Sequence, residues 1–518
     1  MRSFIITLTL IITLIPFYTP AQVNVNKKPC LPVEGLKKIQ LPDVAIIKVE
    51  SRAKDTIRSQ EFWVPPVAVN VSYCRLEGLI SKEIYFELFL PQQWNGRLLM
   101  SGNGGFAGVV QNMLVNYINK GYAVVGTNTG HKANSIQADW ALNNMERQLN
   151  FGKLAVHRTA VVSKSIIDKF YCSAPSYSYF LGCSRGGGQA MMEAQQYPED
   201  FNGIVAGAPA FDWPAIGAKF IRTCQANYPD PKDLTRPVIT NDNLKLLQKF
   251  VFEQCDKLDG LSDQILNDPR KCKVDLSKLP SCPNDLAASG CFTKQQLEAI
   301  RTVYDPMIVD GAQIYPGFPP GLEAEIGSWD AWITGTSSTM QGMPSLHYLF
   351  GTELFKYFVY NDPSWNYSQY EFKNFVKETA YAAAFLNATS ADYSALKKLN
   401  GKMIMYHGWN DPALSALATV SHYEEAMKKN NDLPANVRLF LLPGVLHCDS
   451  GTGPDHVDWV SLIQDWVEKN EAPERVVASK IVNGKTVMTR PVFPYPKKAV
   501  YNGSGDANLE KNFSEKEE

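Results

Sequence analysis

A glycine-framed serine set between a strand and a helix constrains this chain more than any other feature. Residues 177–181, Tyr-Ser-Tyr-Phe-Leu, read as a strand; Gly182-Cys183-Ser184-Arg185-Gly186 is a tight turn; residues 187–196 suit a helix. In such a turn the serine oxygen is lifted clear of the sheet, and only small residues fit around it. A G-x-S-x-G frame alone is common by chance. A strand before it and a helix after it give the frame a structural context.

The rest of the chain repeats that alternation. Residues 82–90 alternate as a strand does, and residues 97–100 form a short apolar run leading into Ser101-Gly102-Asn103-Gly104-Gly105. Residues 121–126 and 201–206 are further buried-strand candidates, and residues 151–170 carry helical spacing of apolar positions. Strands alternating with helices predict a parallel α/β sheet. From residue 213 to residue 399 the pattern breaks into a stretch rich in aromatics, prolines and cysteines. Strands return at 402–407 and 437–442, with helices at 416–429 and 461–469. The predicted fold is an α/β-hydrolase core, residues 22–212 and 400–498, divided by a large inserted lid domain at 213–399. Residues 499–518 are polar and are expected to fray. At 518 residues the chain exceeds one ordinary core, in keeping with this division.

The N-terminus has the layout of a secretory signal peptide: Arg2, an apolar run over residues 4–17, and Thr19-Pro20-Ala21 before Gln22. Cleavage near Ala21 would deliver a secreted or periplasmic protein. An uncleaved anchor is the alternative, but the run is shorter than the roughly 20 residues that span a bilayer, and no second long apolar run follows. The formal net charge is -1 and no basic run is present, which speaks against nucleic acid as a partner. The ten cysteines are Cys30, Cys74, Cys172, Cys183, Cys224, Cys255, Cys272, Cys282, Cys291 and Cys448. An even number in an exported chain favours disulfides, and the absence of any C-x-x-C spacing argues against zinc ribbons and thioredoxin-type sites. Proximity suggests Cys255 with Cys272 and Cys282 with Cys291. Spacing leaves the remaining connectivity open.

A serine hydroxyl needs a base, and on this scaffold the chain order is serine, acid, histidine. Asp411, in Gly408-Trp409-Asn410-Asp411-Pro412, leaves a buried strand, although an aspartate before proline is also an ordinary turn residue. His447 follows the strand ending at Leu442; read alone it is a surface loop histidine. His422 reads as helical and His456 sits in a polar loop, while His131, His157, His347 and His407 precede Asp411 and fit the order poorly. The developing oxyanion needs two donors. The Arg185 amide is one, and the second is assigned to Gly105, with Gly104 as the alternative. Cys255-Asp256-Lys257-Leu258-Asp259-Gly260-Leu261-Ser262-Asp263-Gln264-Ile265 gathers three carboxylates around a glycine. Asp256, Asp259 and Asp263 side chains with Leu261 and Ile265 carbonyls would suit calcium. The spacing is not that of an EF-hand, and a solvated acidic turn is the competing reading.

The combination Cys183-Ser184, Asp411 and His447-Cys448 resembles the tannase and feruloyl esterase family, which also includes terephthalate-monoester hydrolases. Asn95-Gly96-Arg97, Gly102 to Gly105, Gly182 to Gly187, the acidic loop and Gly408 to Pro412 extend the likeness over essentially the whole mature chain. The resemblance implies a Cys183–Cys448 disulfide joining the serine and histidine loops, and calcium on the acidic loop of the lid. It also implies a cysteine in the C-terminal proline-rich segment, which is missing from Arg490-Pro491-Val492-Phe493-Pro494-Tyr495-Pro496; a looser C-terminus is therefore expected. Cys172 with Cys224, and Cys30 with Cys74, are the pairings considered for the remaining cysteines.

The expected activity is that of a secreted serine carboxylic-ester hydrolase. The resemblance points to esters of aromatic acids, hydroxycinnamate or gallate, whose alcohol part can be a plant polysaccharide or polyphenol. Phe318, Trp329, Trp332 and Trp365 are candidates to pack against a flat acyl group, and lid core is an equal reading for them. An acetyl esterase, a terephthalate-monoester hydrolase, a lipase and a non-catalytic binding protein on the same scaffold are the alternatives.

Overall fold

The computed structural model describes residues 26–61, 63–340 and 342–517, so the expected signal peptide at 1–21 lies outside the described residues. A nine-stranded sheet organises the molecule. Its strands are β1 (Val44–Arg52), β2 (Tyr73–Ile80), β3 (Ile84–Pro91), β4 (Arg97–Ser101), β5 (Ala123–Thr127), β6 (Tyr177–Cys183), β7 (Gly203–Gly207), β8 (Lys402–Gly408) and β9 (Val437–Leu442), in the spatial order β1-β2-β3-β5-β4-β6-β7-β8-β9. The first three pair antiparallel, as do β3 and β5; every pair from β5 to β9 is parallel. The parallel part was legible as buried apolar runs. β1 and β2 were not, because β1 is a largely exposed edge strand and β2 carries Gly78, whose missing side chain makes room for the Phe86 ring.

Alternate strand residues enter opposite cores, as the two-residue period of a strand requires. Leu98, Met100, Phe180, Leu439 and Leu441 face one side, where α1 (Ala155–Tyr171), α2 (Arg185–Gln196) and α3 (Ala416–Lys429) pack. Leu99, Tyr179, Phe440 and Leu442 face the other, against α4 (Trp459–Lys469). Among the described residues no strand between β7 and β8 joins this sheet. That stretch holds helices such as Trp213–Asn227, Asn241–Cys255, Lys294–Tyr304 and Leu346–Leu354, whose apolar core is shared with Phe106, Trp140, Phe151 and Leu414 from outside the stretch. Among the described residues no helix is long and apolar enough to cross a membrane.

Four disulfides are present: Cys30–Cys172, Cys183–Cys448, Cys255–Cys272 and Cys282–Cys291. The considered Cys30–Cys74 and Cys172–Cys224 pairings are therefore corrected. Cys172 caps the C-terminus of α1 and meets Cys30 there; Cys74 lies in the sheet and Cys224 in a helix of the insertion, both as buried free thiols. The expectation of a frayed, loose C-terminus is also corrected. Lys498–Tyr501 pairs with Phe513–Lys516, and Phe493, Ala499 and Phe513 cluster with Leu261 of the acidic loop. Tyr495 N–H donates to Leu439 O at 2.8 Å, which ties the proline-rich segment to the β9 edge without a cysteine.

Candidate active site

Ligands bind beyond the carboxyl ends of the strands in open α/β sheets, and there the predicted groups meet. Gly102 to Gly105 leave β4, Ser184 leaves β6, Asp411 follows β8 and His447 follows β9. Ser184 has φ 62° and ψ -121°, a conformation that L residues rarely adopt and that the surrounding structure must enforce. Its N–H donates to Gly207 O at 3.0 Å, and its carbonyl accepts from Gly188 N at 3.1 Å and Ala210 N at 3.0 Å. The glycines are steric necessities. A Cβ on Gly182 would stand 2.6 Å from the Gly186 backbone, and one on Gly187 would stand 2.1 Å from Gly207 O.

Asp411 is buried and its carboxylate is saturated. Oδ1 accepts from Ala413 N at 2.8 Å and Leu414 N at 2.9 Å; Oδ2 accepts from His447 Nδ1 at 2.8 Å and His407 Nε2 at 3.1 Å. Burial works to raise this carboxyl, but the His447 charge and the hydrogen bonds of both imidazoles outweigh it and hold it well below the usual carboxylate range. His447 uses Nδ1 for Asp411, which leaves Nε2 as the nitrogen for the serine proton. The histidine loop lies directly on the acid strand: a Cβ on Gly408 would meet Val445 O at 2.4 Å, and Asn410 N–H donates to Val445 O at 3.1 Å. The Cys183–Cys448 bond, with Cα atoms 5.9 Å apart, joins the residue before the serine to the residue after the histidine.

The oxyanion donors can now be separated. The Gly104 N–H donates to Gln111 Oε1 at 2.6 Å and is committed. Gly105 has φ 53°, and a side chain there would strike Ser135 O at 2.2 Å, so glycine is required. Asn103 backbone lies against Gly186, which brings this loop to the nucleophile turn. Of the two expected loop donors, Gly104 is thus occupied, while Gly105 stands beside it and Arg185 opens α2. The Arg185 side chain turns away into the protein. Its guanidinium donates to Phe151 O and to Gly152 O, carbonyls of the π-helical turn Asn150–Leu154, and lies 4.3 Å over the Phe151 ring. Burial lowers its pKa to about 9.

Of the four aromatic candidates, Trp332 alone has a ring contact with the triad, edge-on to His447 at 5.0 Å. It stacks on Phe350 at 5.9 Å, and Phe350 meets Phe106, the neighbour of Gly105, at 5.6 Å. Phe318 faces His347, Trp329 faces Tyr304, and Trp365 packs with Phe355 and Tyr360. The insertion also clamps the acid loop. Asn410 Nδ2 donates to Pro320 O and Gly321 O, both at 3.0 Å, Ser415 Oγ donates to Gly317 O at 2.6 Å, and His347 Nε2 donates to Pro412 O at 2.9 Å. Chain order excludes His347 and His407 as the base, yet both hold the Asp411 loop: His407 donates to Asp411 Oδ2 and His347 to Pro412 O.

On the acidic loop, Asp256 accepts from Gln264 N, Asp259 from Leu261 N and Asn267 N, and Asp263 from Ile265 N and Arg490 Nη2. Among the described residues no three His, Cys, Asp or Glu side chains form a group that could hold a metal ion. The donor chemistry still suits a hard cation, because burial and then the like charge of Asp263 push the Asp256 and Asp259 carboxyls up.

The sequence model of the family described as "Tannase and feruloyl esterase" matches residues 69–515. An uncharacterized esterase of Xanthomonas campestris pv. campestris is 30% identical over 498 residues, covering 85% of this chain and 84% of that one. Feruloyl esterase B of Aspergillus niger is 31% identical over 471 residues, covering 85% and 86%. The crystal structure of feruloyl esterase B from Aspergillus oryzae superposes with a TM-score of 0.82 at 27% identity, over 93% of this chain and 99% of that one.

Proposed function

The chain belongs to the tannase and feruloyl esterase family and is a carboxylic-ester hydrolase, and we propose that it cleaves esters of aromatic acids through an acyl-enzyme on Ser184. His447 takes the serine proton and later returns it to the leaving alcohol, while Asp411 fixes the imidazole tautomer and stabilises the imidazolium. The amides of Gly105 and Arg185 receive the oxyanion. Water on the same base then releases the acid.

The observation that carries the acyl preference is the file of rings Trp332, Phe350 and Phe106, which runs from the base to the oxyanion loop. Trp332 and Phe350 are part-buried and stacked on each other, and a planar group would add to this file through offset or edge contacts. The expected result is a kcat/KM for methyl ferulate or methyl gallate above that for acetyl and long-chain esters. A difference of about 10- to 100-fold corresponds to roughly 1.4–2.7 kcal/mol of transition-state binding. A panel with no aromatic preference removes the acyl assignment and leaves the hydrolase intact. Export belongs to the same proposal and is supported by the four disulfides, which persist in oxidising compartments.

Calcium on the acidic loop is a further part of the proposal. Asp256, Asp259 and Asp263 with the Leu261 and Ile265 carbonyls would hold it, and it would neutralise like charges where the C-terminal hairpin docks. Asn267 Nδ2 donates to Ala499 O at 2.6 Å beside this loop. The role is structural, and no catalytic step passes through it. A ligand at a hundred times its Kd stabilises by about 2.7 kcal/mol, so chelation is expected to lower Tm by several degrees and added calcium to restore it. Purified protein with no bound metal and a chelator-insensitive Tm returns the loop to a solvated turn.

A further inference from the structure

We propose that His407 is a positioning residue of the hydrolytic site, a second imidazole that locks the Asp411 carboxylate and sets the basicity of His447. The inference rests on the serine mechanism proposed above. His407 is fully buried near the end of β8, with its ring between three partners. Nε2 lies 3.1 Å from Asp411 Oδ2 and 2.9 Å from Leu414 O; Nδ1 lies 2.8 Å from Thr419 Oγ1 of α3.

The partners decide the tautomer. A backbone carbonyl only accepts, so Nε2 carries the proton and shares it between Leu414 O and Asp411 Oδ2. Neutral Nδ1 then accepts the Thr419 hydroxyl, and the ring is satisfied without a charge. An ionised carboxylate offers about four acceptor positions. Asp411 fills them with two backbone amides and two imidazoles, so it can neither rotate nor offer its full charge to His447. The second imidazole therefore has an electrostatic consequence besides its steric one: it draws charge from the oxygen that His447 uses.

Other groups around the pair do not supply this effect. From the insertion, His347 faces the loop through Pro412 O, and burial pushes it down to about 3. Tyr315, whose hydroxyl accepts from Ser415 N at 3.0 Å, is pushed up by burial and stays protonated. Lys219 lies beyond His347 with Nζ on Thr302 O and Asp305 O. His407 is thus the neighbour that donates directly to the Asp411 oxygen bonded to His447.

The test compares His407→Leu, which removes the donor, with His407→Gln, whose amide nitrogen can replace Nε2. Active sites are titrated with a fluorophosphonate so that kcat refers to competent protein. With His407→Leu, kcat is expected to fall about 10- to 100-fold, by analogy with the loss when the outer hydrogen-bond partners of metal-ligating residues are removed, with KM changed less than twofold. The acidic limb of kcat/KM, which reports the free enzyme's base, should move to higher pH. The sign follows from Asp411 Oδ2 regaining charge and holding the His447 imidazolium more tightly. His407→Gln should recover most of kcat and return the limb. A purely structural role would lower Tm in both variants while leaving the per-site kcat and the limb in place, and that result overturns the proposal, as does a glutamine variant no better than leucine. Should the leucine variant fail to fold, Thr419→Val decides: a limb displaced upward supports the role, and a wild-type profile refutes it. Labelling of the wild type that is lost in Ser184→Ala tests the underlying serine mechanism separately, and its absence removes both.

Discussion

Replacing Ser184 by alanine is expected to abolish fluorophosphonate labelling and to lower kcat on a simple ester by roughly 10⁵- to 10⁶-fold, the loss found when the nucleophile of a Ser-His-Asp site is deleted. The substitution should leave the fold alone. The interactions that hold the turn are made by the Ser184 backbone, with Gly207 O, Gly188 N and Ala210 N, and survive in alanine. The strain at φ 62° is the same for both residues, so Tm should stay within a degree or two. Residual hydrolysis above water would come from the oxyanion amides and binding alone. An alanine variant that still labels, or that keeps kcat within tenfold, places the nucleophile elsewhere.

Asp411→Asn should follow with a loss of about 10⁴-fold in kcat near neutral pH. The reason is written in the hydrogen bonds. Oδ1 receives the Ala413 and Leu414 amides, so an asparagine must keep its oxygen there and turn its NH₂ towards the two imidazoles. His447 can then meet it only with an unprotonated Nδ1, which moves the ring proton to Nε2, the atom that should take the serine proton. His407 Nε2–H faces the same NH₂ and loses one acceptor while keeping Leu414 O. At high pH, activity should recover in part, because hydroxide can replace the base. A variant retaining more than a tenth of wild-type kcat would show that Asp411 does not orient the base.

The disulfide between Cys183 and Cys448 bears on both results. It links the nucleophile turn to the base loop across 265 residues of sequence, and Cys448 itself has φ 68°. Closing so long a loop constrains the unfolded chain strongly. Its distinctive consequence is local, because it joins two loops that leave β6 and β9, strands separated in the sheet by β7 and β8.

Ser184, Asp411 and His447 were legible from the sequence because each is tied to a short local signal: a glycine turn after an apolar run, an aspartate leaving a strand, a histidine beside a cysteine. The Cys255–Cys272 and Cys282–Cys291 bonds were legible for the same reason, since short separations leave few partners. Cys30–Cys172 was not, because its partners lie 142 residues apart and meet only when α1 packs beside the N-terminal segment. His407 has a local signal, four residues before Asp411, yet the criterion of chain order discards it as a base and says nothing about a supporting role.

Strand, turn and helix patterns repeat along the chain, and the hydrophobic period that creates them is a property of consecutive residues; that is why the sequence alone determined an α/β core and the strand ends at which Ser184, Asp411 and His447 stand. Which side chains share one carboxylate, which of two glycine amides is already taken by Gln111, and which ring of the insertion reaches His447 depend on how loops and side chains pack, whether the partners are near in the chain, as Gly104 and Gln111 or His407 and Asp411 are, or distant, as Trp332 and His447 are. Those contacts have no period and no fixed spacing. Only the tertiary packing of the loops at the strand ends decided them.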